Sequence, residues 1–192
     1  MKKNSSQRIA ILGMFAAIIV VLQLLSYVVK IGTFNLSLVL IPIVLGSHLY
    51  GAKAGAILGG VFGVVVSICC VAGMDGGGFI LFSASPILTV LVCVLKGTLA
   101  GAASGGISNL LKNKNKYLAI LLSAIVAPIV NTGLFILALV FLFHDILVQW
   151  AGGQALVSYI ILGLVGVNFL IELGINIIAA PSLLTVTKAL KK

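Results

Sequence analysis

Residues 117–143 read YLAILLSAIVAPIVNTGLFILALVFLF and hold no charged residue. As a helix this stretch rises about 40 Å at about 1.5 Å per residue, enough to cross the roughly 30 Å hydrocarbon core of a bilayer. Gly, Ser, Thr, Pro and the single amide Asn131 are its main interruptions. The stretch therefore predicts a membrane-crossing helix. The rest of the chain agrees: 61% of the 192 residues are hydrophobic and only 8% charged, with a mean hydropathy of +1.32. Soluble domains carry roughly 25% charged residues, so a soluble globular domain is excluded.

The same reading outward from residue 117 gives six spans, at about 8–29, 35–50, 53–73, 86–110, 117–143 and 155–187. The expected fold is an all-α integral membrane protein, a compact six-transmembrane-helix bundle forming a single membrane domain over residues 1–192. The second span is short, and Pro42 predicts a kink in it. The first span follows a basic start, as a signal peptide would, but its apolar run is long and no A-x-A cleavage site closes it, so a retained helix is expected.

Positive residues collect in short cytoplasmic loops. With the N-terminus inside, Lys2, Lys3, Arg8, Lys53, Lys112, Lys114, Lys116, Lys188, Lys191 and Lys192 all fall on the cytoplasmic side, and Lys30 alone among loop residues falls outside. Asp75 and Asp145 fall in outer loops. Both termini are thus expected in the cytoplasm. The net charge of +9 follows from topology and from anionic lipid at the inner leaflet, with no nucleic-acid partner implied. Cys69, Cys70 and Cys93 lie inside apolar segments without metal-ligand spacing and read as buried thiols.

Glycines recur every four residues at Gly51, Gly55, Gly59 and Gly63, and again at Gly97, Gly101 and Gly105. Such stripes let helix backbones approach closely. In the first span Gly13 and Ala17 share this spacing beside Ala16. They suit either a neighbour within the chain or a partner protein, and internal packing is the simpler expectation.

Polar residues at membrane depth are costly and usually face a bundle interior. Lys96 lies about 15 Å below the outer end of its span, and Asn131 lies about midway along its own. Asn168, Glu172 and Asn176 stand four apart on one helical face of the last span, with Glu172 near its middle. Two readings stay open. The residues either tie helices together, or they line a ligand cavity whose charges, Lys96 and Glu172, pair when it is empty. A proton relay lacks a second acid or histidine at that depth.

Other features are secondary. His48 and His144 read as interfacial, as do Trp150 and Tyr159. MDGGGF, residues 74–79, is a glycine-rich outer turn without the Gly-Lys-Ser/Thr of a phosphate loop, and reads as a lid. No G-x-S-x-G, no H-E-x-x-H and no paired acidic cluster is present, so neither catalytic residues nor a metal is expected. Active transport would draw on a partner or an ion gradient.

Four stretches carry a resemblance over nearly the whole chain: LVLIPIVLGSHLYGAKAGAILGGVFGVV (38–65), VLKGTLAGAASG (94–105), PIVNTGLFIL (128–137) and NFLIELGINIIAAP (168–181). In order and spacing the chain resembles the substrate-binding S components of energy-coupling factor (ECF) transporters. The resemblance implies a plasma-membrane protein that binds a vitamin or related micronutrient from outside. It also implies a transmembrane coupling subunit and two cytoplasmic ATPases as partners, with ATP used by them and no cofactor in this chain. In that family small residues of the first helix contact the coupling subunit. Gly13, Ala16 and Ala17 match that patch, with glycine in place of the usual leading alanine. The family's pocket lies among the last three helices and outer loops, where depth had placed Lys96, Asn131, Asn168 and Glu172.

A lysine surrounded by amides suits a ligand with a carboxylate and several hydroxyl or amide groups, which points first to pantothenate. Few aromatics are expected at pocket depth, which argues against flat stacked rings unless loops supply Phe34, Phe79 or Phe82. Two rival classes are a stand-alone secondary transporter of a small polar solute and a membrane enzyme or scaffold that uses the bundle as an anchor.

Overall fold

A computed structural model describes residues 5–28, 30–31, 34–35 and 38–189. Lys2, Lys3, Lys191 and Lys192 lie outside the described residues, as do the side chains of Lys30, Phe34, Asn168 and Lys188. Helix α1 (Ser5–Val28) is followed by a two-residue antiparallel pair, β1 (Lys30–Ile31) with β2 (Phe34–Asn35). Then come α2 (Leu40–Tyr50), α3 (Ala52–Val71), α4 (Gly76–Ala84), α5 (Pro86–Leu111), α6 (Lys116–Leu142) and α7 (His144–Ala151). A final helical stretch joins α8 (Leu156–Ser158), a π-helical segment (Tyr159–Gly166) and α9 (Val167–Ala189).

Among the described residues five helices are long and apolar enough to cross a membrane: Ser6–Tyr27, Ala52–Val71, Pro86–Leu111, Lys116–Leu142 and Phe169–Thr187. The expected second span is shorter than read. Helix α2 has 11 residues, about 16 Å at about 1.5 Å per residue. Pro42 does not kink it. It stands third in the helix, where a backbone N–H has no intrahelical acceptor, so proline starts the helix at no cost. The shortness has a physical reason in burial: Val39, Leu40, Ile43 and Val44 are wholly inaccessible. They pack with Phe15 and Ile19 of α1, Leu58 and Phe62 of α3, Ile120 of α6 and Leu183 of α9. A segment enclosed by protein need not satisfy its backbone within one full-length helix, as a lipid-facing one must. The last expected span also differs. α7 and the segment Leu156–Leu164 meet at 87°, and the crossing part is Phe169–Thr187.

The antiparallel pair α3 and α5 is held by the glycine stripes. A Cβ on Gly55 would fall on the Gly101 carbonyl, one on Gly59 on the Gly97 carbonyl, and one on Gly63 on the Cys93 carbonyl. A Cβ on Gly105 would come within 2.6 Å of the Ala52 Cα. The backbones therefore touch, as small-residue stripes permit.

One end of the bundle gathers Arg8, Tyr50 and Ser108, and a buried polar cluster closes it. Ser47 Oγ lies 2.9 Å from Ser104 Oγ, and the Ser123 hydroxyl donates to the Ser104 carbonyl at 2.8 Å. His48 Nδ1 lies 2.8 Å from Ser108 Oγ. His48, read as interfacial, is buried at 4% exposure. Arg8 sits 5.6 Å from the Tyr50 ring centroid. At the opposite end α4 and α7 frame the mouth of a cavity.

Candidate ligand-binding site

The cavity has a volume of about 380 Å³, within the range of roughly 300–1,000 Å³ for small-molecule sites. Every long helix contributes to its wall. α1 supplies Gln23, Ser26 and Tyr27; α3 supplies Phe62, Val66 and Cys70; α5 supplies Thr89, Cys93 and Lys96. α6 adds Asn131, Thr132 and Phe135, and α9 adds Phe169 and Glu172. Asp75, Gly77 and Gly78 of the α3–α4 region and Trp150 of α7 stand at the mouth.

Three of the residues singled out in the sequence, Lys96, Asn131 and Glu172, face this one cavity. Their arrangement differs from a closed ion pair. The Lys96 ammonium sits 4.8 Å from the Phe135 ring centroid, a cation–π contact. No ion pair within 4.0 Å joins it to the Glu172 carboxylate. The expected Lys96–Glu172 pairing is thus replaced by two charged groups open to the same space, each available to a ligand. Asn131 is 9% exposed and Glu172 9% exposed. The Asn131 Oδ1 has no hydrogen-bond partner. An unpaired buried acceptor costs about 1–3 kcal/mol, which a ligand donor would recover.

Asn176 is placed elsewhere. It does not line the cavity; it is 1% exposed and donates from Nδ2 to the Glu172 carbonyl at 2.8 Å. One turn deeper than Glu172, it braces the backbone that carries the carboxylate. Asn168 lies on α9 one turn outward, with its side chain outside what the structure describes. Gly13 has nothing within 4 Å of an added Cβ. Gly13 and Ala17 are exposed and Ala16 is half-buried, because Phe15 and Ile19 occupy the inward face of α1. Ala16 packs against the core, as internal packing predicts, while Gly13 and Ala17 face away from it.

Several wall residues were not singled out in the sequence. Gln23 is 5% exposed, its Nε2 donates to the Tyr27 hydroxyl at 2.9 Å, and its Oε1 is left without a partner. The signal was present: Phe15, Ile19, Gln23 and Ser26 follow helical spacing along the buried face of α1. Phe62, Phe135, Phe143, Phe169, Tyr27 and Trp150 all line the cavity, so aromatic wall is plentiful. Trp150 therefore serves the mouth rather than the lipid interface. Phe79 is 47% exposed and Phe82 packs on the core, so neither lines it. The MDGGGF stretch folds as a turn leading into α4, with the Asp75 carboxylate accepting the Gly78 N–H at 3.0 Å as its N-cap. Cys69, Cys70 and Cys93 are free thiols. Among the described residues no group of three His, Cys, Asp or Glu is placed to hold a metal.

A bundle of apolar helices that encloses a polar cavity open at one end defines a membrane solute-binding protein. The family model described as "ECF transporter, substrate-specific component" matches residues 7–184, and the chain belongs to that family. It is accordingly a multi-pass plasma-membrane component of a transporter and not an enzyme. Among curated proteins it is similar to the pantothenic acid transporter PanT of Lactococcus lactis subsp. cremoris (strain MG1363), 26% identical over 201 residues, covering 98% of each chain. No solved structure matches the chain.

Proposed function

We propose that this chain captures pantothenate from outside the cell and delivers it inward together with a transmembrane coupling subunit and two cytoplasmic ATPases. The observation that carries the reading is the polar set at the inner part of the cavity: the Lys96 ammonium, free of an ion pair, with the unpartnered acceptor Asn131 Oδ1 and the Glu172 carboxylate, beside apolar wall from Phe62, Val66 and Val92. Pantothenate matches it group by group. Its carboxylate goes to Lys96, its hydroxyl and amide donors go to Asn131 and Glu172, and its dimethyl centre meets Phe62, Val66 and Val92. Asn176 braces Glu172, and Asn168 is proposed as a further ligand contact from its place one turn outward on α9. The similarity to a pantothenic acid transporter supports this choice.

In this reading both termini are cytoplasmic, since Arg8, Lys53, Lys112, Lys114 and Lys116 belong to one end of the bundle. The cavity mouth then opens outward. The patch of Gly13, Ala16 and Ala17, exposed at Gly13 and Ala17, meets the coupling subunit, and ATP is hydrolysed by the partners, so this chain needs no cofactor. The test is mass spectrometry of small molecules released from the protein purified in mild detergent, with pantothenate uptake assayed in cells with and without the ATPase partners. Stoichiometric pantothenate and ATPase-dependent uptake are expected. A different bound molecule replaces the ligand, and full uptake without ATPases makes the chain a stand-alone transporter.

A further inference from the structure

The polar groups of the cavity are not all at one depth. Phe15 and Leu58 both pack at Gly46, and further along both helices Tyr27 and Cys70 line the same cavity, so α1 and α3 run in parallel with Gln23 about level with Val66. Gly59 packs on Gly97 and Gly63 on Cys93, which sets Lys96 level with Gly60. The Cα atoms of Gln23 and Lys96 are therefore about six residues apart in depth, roughly 9 Å. Gln23 is the upper group, nearer the mouth.

The Gln23 amide turns its nitrogen toward Tyr27. Its Nε2 donates to the Tyr27 oxygen at 2.9 Å, leaving Oε1 buried and unpartnered on a residue that lines the cavity. An acceptor held this way rewards a donor and rejects an apolar group. Gln23 is the only side chain of α1 with an unpartnered buried oxygen in the described residues. Neither helix packing nor α1's own backbone uses that oxygen.

Building on the pantothenate reading, we infer that Gln23 is a specificity-determining residue whose Oε1 accepts the ligand's terminal hydroxyl, while Lys96 holds the carboxylate at the far end. The site thus selects elongated hydroxy acids with an anion at one end and a hydroxyl at the other. An extended pantothenate spans about 10 Å between those groups by its bond lengths, which suits the depth offset with a flexible lysine at the lower end. The amide N–H and inner hydroxyl then fall between them, beside Asn131 and Glu172.

The test compares pantothenate with its analogue in which the terminal hydroxyl is replaced by hydrogen, both titrated calorimetrically into the purified full-length protein. The wild type should bind the analogue about tenfold or more weakly, the size of one hydrogen bond. Gln23→Met, similar in shape but without the acceptor, should bind both within about twofold. Gln23→Glu, which restores an acceptor oxygen, should restore the preference. Wild type that ignores the missing hydroxyl, or Gln23→Met that still discriminates tenfold, overturns the role of Gln23 while leaving pantothenate as ligand. Wild type that binds neither compound overturns the pantothenate reading and this inference with it. If Gln23→Met does not fold, the wild-type comparison and Gln23→Glu still decide.

Discussion

The contact between α3 and α5 can be tested with a single methyl group. In Gly59→Ala the new Cβ would land on the Gly97 carbonyl oxygen, 2.6 Å from its carbon and 3.2 Å from the Thr98 Cα. All three obstacles are backbone, so no side chain can rotate away, and the helices must part by about 1 Å. A gap of that size forfeits roughly a quarter to a half of each dispersion contact along the seam. The cost belongs at the upper end of overpacking, about 3 kcal/mol. For a chain of this size that lowers the melting temperature by roughly 6–12 °C. Gly106→Ala is the matched control: it lies in α5, and nothing stands within 4 Å of its added Cβ. There the better helix propensity of alanine should leave stability unchanged or raise it by up to about 1 kcal/mol. The assay is thermal unfolding in detergent, followed by helical circular dichroism and by Trp150, the chain's only tryptophan, which stands at the cavity mouth. Because α3 carries Phe62 and Val66 and α5 carries Cys93 and Lys96, parting the seam should also weaken ligand binding. Equal melting temperatures for Gly59→Ala and Gly106→Ala would refute the close-packed seam.

Four further outcomes are expected. Lys96→Met should insert normally yet bind pantothenate about 10- to 150-fold more weakly, the loss of one charge-assisted contact of about 1.5–3 kcal/mol; unchanged affinity by calorimetry would remove Lys96 from the site. Glu172→Gln keeps the shape but turns a charged acceptor into a neutral one, so affinity should fall about tenfold, and a tighter complex would reverse its assigned role. Gly13→Leu places its Cβ where nothing stands within 4 Å, so binding should be preserved while uptake through the complete transporter falls sharply; normal uptake would show that this face docks nothing. Asp75→Ala removes the cap of α4 at a cost of about 1 kcal/mol and should speed ligand dissociation about fivefold in stopped-flow fluorescence, whereas an unaltered off-rate would deny α4 a gating role.

Much of the site was visible in the residues because charge in hydrocarbon is expensive. Lys96, Asn131 and Glu172 had to face inward, and counting residues from the span ends placed them at one depth; the structure brings all three to the same cavity. Gln23 was missed because a lone glutamine near the end of an apolar helix reads like an interfacial residue until its neighbours are known. Asn176 was grouped with Glu172 on helical spacing, but a spacing of four residues also suits a side chain that turns back to the carbonyl one turn earlier, and that bond is the one formed.

The sequence by itself determined that this is a membrane bundle, which segments are apolar enough to span, and where glycine permits contact. Those properties follow from transfer energies and side-chain size, which belong to each residue wherever it sits. Only the tertiary structure decided that α2 is a short buried helix, that Gly13 and Ala17 face outward, that Lys96 rests on Phe135 and not on Glu172, and that α1 shares the cavity wall. Each of these depends on which helix faces which, and hydropathy is the same whether an apolar residue meets lipid or another helix.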